Sequence, residues 1–176
     1  MEIEFTPSSR LEHGSVIDEE TAGGVRERCV RLLVPTISVY AAMEGTGPDL
    51  GVPNYIQRKT AEVLDDSREA FRLALATHVP IAGGTDCVAP GHTHGTLPKE
   101  LRLVVEAEAD PMQVLHVTTS AAAELLGTDD EAGTLEPGKA ADLVAVAGDP
   151  LEDVEALYQM WLVMREGIEV DLSKES

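Results

Sequence analysis

At 176 residues, 43% of them apolar, the chain can bury a sizeable core as one domain, or one domain with a small appendage, which excludes a disordered chain. Its 32 acidic against 13 basic residues leave a formal net charge of -19, which argues against nucleic acid and anionic membrane as partners. No apolar run approaches the roughly 20 residues of a membrane span, and the two cysteines, Cys29 and Cys87, form no metal-type spacing, so a reduced cytoplasm is the expected compartment.

Residues 1–5 alternate apolar and acidic side chains, the pattern of a short strand with one wet face, and carry acids where a secretory signal carries bases. Residues 11–15 read as a strand end. Asp18 is placed to cap a helix over about 19–28, which Gly23-Gly24 weakens. An apolar strand over 30–34, interrupted by Arg31, stops at Pro35. The stretch 44–53 holds Gly45, Gly47, Pro48, Gly51 and Pro53, and reads as an irregular loop.

Helical spacing of Ala61, Leu64, Ala70, Phe71 and Leu75 predicts a helix over 58–77. A buried strand over 79–82 follows, then the Gly83-Gly84 turn and a loop to Leu97. Pro98 marks a helix start, with Leu101, Val104 and Val105 as its inward stripe. Asp110-Pro111 repeats that signal, and Gly127 ends the helix after it. The tail turns to strands at 143–146, 161–164 and 168–170, the last two joined through Arg165-Glu166-Gly167. Strands alternating with helices indicate three parallel β/α units followed by a β-rich tail.

Two strand ends carry groups able to do chemistry. Asp86 follows Gly83-Gly84 at the carboxyl end of an apolar strand, where it either ligates a metal and takes a proton from bound water or caps the loop that follows. His13 stands at a comparable strand end, flanked by Glu12 and Ser15, as a ligand or as a satisfied polar side chain. His92-Thr93-His94-Gly95 offers a His-x-His pair, but between Pro90-Gly91 and Gly95 it belongs to a loop facing substrate or solvent. His116 and His78 read as structural, and Cys87 as a small buried thiol. Tyr40 and the loop after it are placed to cover a site.

Taken in order, Leu33-Val34-Pro35-Thr36, Gly84-Thr85-Asp86, His94-Gly95, Thr118-Thr119-Ser120-Ala121-Ala122-Ala123, Gly133-Thr134-Leu135-Glu136-Pro137-Gly138-Lys139 and Gly148-Asp149-Pro150 resemble the C-terminal part of an amidohydrolase, close to the imidazolonepropionase-like and proline-dipeptidase-like branch. The resemblance implies an α/β fold: the last three β/α units of a TIM-type (β/α)8 metal-dependent hydrolase barrel plus part of a small β-domain. It divides the chain into a divergent segment at 1–10, a partial barrel at 11–132 and a β-rich part of the composite domain at 133–176. His13 would then lie on the sixth barrel strand as a metal ligand. Asp86 would lie on the eighth as ligand and general base, with His94, Gly95 and Tyr40 toward substrate.

The family's His-x-His of the first strand, the lysine or carboxylate of the fourth and the histidine of the fifth have no counterpart here. A catalytic zinc takes about three protein ligands plus water, and two are present. The implied activity is metal-dependent hydrolysis of a small amide or dipeptide C–N bond, with a divalent metal, zinc first. It would need an N-terminal half chain or a homo-oligomer to complete the site; the alternative is a non-catalytic remnant or interaction domain. The acidic excess, with only four lysines, further suggests a halophile's protein.

Overall fold

The computed structural model describes residues 10–15, 32–46, 49, 51–87 and 94–174. The strand expected at 1–5, the helix at 19–28 with its Asp18 cap, and His92 lie outside these. Strand β1 (Arg10–Glu12) runs parallel to β2 (Leu32–Val34), with Leu11 opposite Leu33. The His13 N–H extends that ladder by donating to the Val34 carbonyl at 2.8 Å.

Residues 79–82 join on the other side of β2 through one parallel bridge, Leu33 to Ile81. The Leu33 N–H donates to the Pro80 carbonyl and the Ala82 N–H to the Leu33 carbonyl. The expected strand there is thus reduced to one bridge among the described residues; Pro80 has no N–H to offer a ladder. Its neighbours Val79, Ile81 and Ala82 are buried as expected.

Helix α1 (Ile37–Thr46) replaces irregular chain where the sequence suggested a loop from residue 44. Helix α2 (Asn54–Ala76) begins directly after Pro53 and buries Thr60, Leu64, Ser67, Phe71 and Ala74, a 4-3-4-3 stripe that faces the core. Helices α3 (Leu97–Glu106), α4 (Pro111–Thr118) and α5 (Ser120–Leu126) follow. Asp110 caps α4 with a reciprocal box: its side chain accepts from the Met112 and Gln113 N–H groups, and the Gln113 side chain accepts the Asp110 N–H. Gly127 ends α5 at φ 68, a conformation that suits glycine. Leu33, Ile37, Phe71, Val79, Leu101 and Val114 meet in one apolar core between the short parallel ladder and the helices.

The tail forms an antiparallel sheet in the order β3 (Leu143–Val146), β4 (Met160–Arg165), β5 (Ile168–Glu169). Glu166 and Gly167 join β4 to β5 with φ of 51 and 78, the left-handed pair of a tight hairpin. Before β4, the 3-10 turn Val154–Tyr158 packs Val154 and Leu157 against the main core, so the tail is not loosely tethered. Among the described residues no helix is long and apolar enough to cross a membrane.

Candidate functional site at the strand ends

The carboxyl ends of the three parallel segments lie side by side, and each is followed by a non-glycine residue held at positive φ. His13 follows β1 at 66, Thr36 follows β2 at 51, and Asp86 follows residues 79–82 at 48. For a β-branched residue such as Thr36 this is a true outlier, costing on the order of 1–3 kcal/mol that the surrounding fold must offset. The observation points to function, since strain of this kind gathers at sites.

His13 and Asp86 stand on opposite sides of β2. Neighbouring strands lie about 4.8 Å apart, so β1 and residues 79–82 are about 10 Å apart across β2. Both side chains are exposed. The imidazole Nδ1 of His13 lies 2.8 Å from the Thr36 hydroxyl oxygen. Beside them the Ser15 hydroxyl donates to the Tyr40 hydroxyl at 3.1 Å. Tyr40 therefore belongs to α1, tied to the β1 end, rather than introducing a loop.

Gly83 and Gly84 are required by close packing. A Cβ on Gly84 would sit 2.5 Å from Cγ1 of Val34, and one on Gly83 would collide with the Thr118 side chain. The Gly83 N–H also donates to the Val117 carbonyl at 2.8 Å, which fastens this turn to α4. The glycines let the Asp86 loop lie directly on the end of β2.

Cys87 departs from the sequence reading. It is half-buried, and its Sγ lies 3.4 Å from Nδ1 of His94. His94 and Gly95 are exposed in the turn before α3. His116 and His78 fall away from the strand ends: Nδ1 of His116 contacts the Ser120 hydroxyl at 2.6 Å, and His78 occupies the turn after α2. His78 and His116 both line an open groove of about 270 Å³ beside Val79, Pro80 and Ile81.

The residues not singled out from sequence are Thr36 and Glu100. Glu100 is fully buried at 0% exposure. Its carboxylate accepts the Ile37 N–H at 2.9 Å and the Ser38 N–H at 2.6 Å, which caps α1 from a distant part of the chain. Burial raises the Glu100 carboxyl above the ordinary 4.5, although the Ser38 hydroxyl and the two amides pull it back. Its signal was an acid one turn before Val104, on the stripe that α3 buries.

Residues 5–167 match the model of the amidohydrolase family. Over 154 residues the chain is 30% identical to an ochratoxinase of Aspergillus niger, an alignment covering 85% of this chain and 30% of that protein. A solved Xaa-Pro dipeptidase with methionine bound in its active site is similar at a TM-score of 0.82 and 34% identity, over 93% of this chain and 40% of the other. A putative prolidase from Bifidobacterium longum gives 0.79 and 31%, over 92% and 42%. The chain thus spans well under half the length of these relatives. It carries part of a TIM-type hydrolase fold, as the resemblance implied. The chain belongs to the amidohydrolase family.

Proposed function

We propose that the chain contributes His13 and Asp86 as metal ligands to a hydrolase of small amides or dipeptides, with the remaining strands supplied by the rest of a longer polypeptide or by a partner chain. The observation that carries this reading is the contact of the His13 Nδ1 with Thr36, because a ligating histidine is commonly held through its other ring nitrogen. His13 and Asp86 suit a divalent ion such as zinc by donor type. Among the described residues no three His, Cys, Asp or Glu side chains stand close enough to hold one, so donors from elsewhere complete the set.

A divalent ion bound here supplies polarisation of the scissile carbonyl and a more acidic water. Asp86 accepts the proton of the attacking water and returns it to the leaving amine. His94 and Gly95, exposed in the turn before α3, face the substrate. The dipeptidase and ochratoxinase relatives support an amide or dipeptide as substrate.

The incomplete donor set favours a second reading, a non-catalytic interaction domain. The two separate on one assay: dipeptide hydrolysis with zinc present, after the chain is mixed with an N-terminal half bearing the missing His-x-His. The enzyme reading expects hydrolysis that Asp86→Asn abolishes. Hydrolysis indifferent to Asp86→Asn, or none from a folded mixture, contradicts it.

A further inference from the structure

The first turn of α1 has an unusual division of labour. A threonine just before a helix ordinarily turns its hydroxyl to the free amides of the first turn. Thr36, at φ 51, instead directs its hydroxyl to Nδ1 of His13 at 2.8 Å. The amides of Ile37 and Ser38 are served by Glu100, 63 and 62 residues along the chain. Glu100 is completely buried, and neither the fold's apolar core nor the proposed chemistry calls for an acid there.

We propose that Glu100 is a positioning residue for His13: by capping α1 it fixes the Thr36 turn and leaves the threonine hydroxyl to hold the imidazole as its Nδ1–H tautomer. Nδ1–H then donates to the Thr36 oxygen, and Nε2 keeps its lone pair. The purpose of this arrangement rests on His13 being a ligand, but the arrangement itself is a property of the metal-free chain. A carboxylate suits the task because its two oxygens accept two adjacent amides at once. A glutamine of the same shape offers one acceptor and would set an N–H against the second amide.

The test is long-range proton–nitrogen NMR of the 15N-labelled chain, without metal and at a pH where imidazoles are neutral, with the His13 signal assigned from His13→Gln. The wild-type chain should show His13 as Nδ1–H. Thr36→Val and Glu100→Gln should each shift it to Nε2–H, with the other histidine signals unmoved. If Glu100→Gln does not fold, Glu100→Asp, which keeps the charge and shortens the reach, is read for the same shift.

A His13 signal that moves in Thr36→Val but not in the Glu100 variants makes Glu100 a helix cap alone and overturns the proposal. So does a wild-type Nε2–H tautomer, or unfolding in both Glu100 variants. A chain that shows the Nδ1–H tautomer yet gives no hydrolysis on complementation would remove the hydrolase reading and leave this inference standing.

Discussion

Thr36, His13 and Asp86 share a backbone conformation that side-chain sterics disfavour, and each sits just past a parallel segment. His13 and Asp86 could be picked out from sequence because each stands beside an apolar run and near a glycine. Thr36 could not, since positive φ at a threonine leaves no compositional trace. The glycines at 83 and 84 were legible as a turn, but their reason was not: they make room for Val34 and Thr118, from other parts of the chain. Gly84→Ala should therefore force Val34 aside, lower stability by about 1–3 kcal/mol and disturb the neighbouring Thr36 turn. Denaturant titration checks this, and an unchanged midpoint would mean that the end of β2 yields without cost.

Helices α2 and α4 were readable because their signals are local. The buried stripe of α2 repeats at helical spacing, and α4 opens with Asp110-Pro111 and Gln113. Helix α1 was not readable, because the carboxylate that caps it comes from α3 and its own first turn holds the β-branched Ile37 and Val39. The strand at 79–82 was overdrawn for a related reason: apolar residues mark burial, whereas a ladder also needs the N–H that Pro80 lacks.

The Glu100 cap gives α1 a pH dependence. Burial raises the folded carboxyl above 4.5, so between the unfolded and the raised folded value the folded chain holds a proton that the unfolded chain has released. The Glu100 contribution to stability is complete below the unfolded value and declines as pH rises from 4.5 through the raised folded value. Denaturant titrations from about pH 4 to pH 8 on the wild type and Glu100→Gln should show the difference between them falling with pH. A difference that stays flat, or grows with pH, would contradict the assigned direction.

At the scale of the whole molecule, a charge of -19 on 176 residues opposes compaction at low salt. Raising KCl from about 0.1 M to 1 M shortens the Debye length from about 10 Å to about 3 Å, and the unfolding midpoint should rise with it. Equal stability at both concentrations would remove the halophilic reading. The acidic excess was plain in the composition. The shortfall of ligands was legible as well, from the family positions without a counterpart; among the described residues three short parallel segments do not close a barrel, and the relatives are more than twice as long.

The most direct measurement is the zinc content of the chain purified in molar KCl with zinc present, for the wild type, His13→Ala and Asp86→Ala. One bound ion per chain, lost in either variant while the fold persists, is the result that two shared ligands predict. None in the folded wild type would mean a remnant or an unassembled half, and zinc retained by both variants would contradict His13 and Asp86 as ligands of one ion.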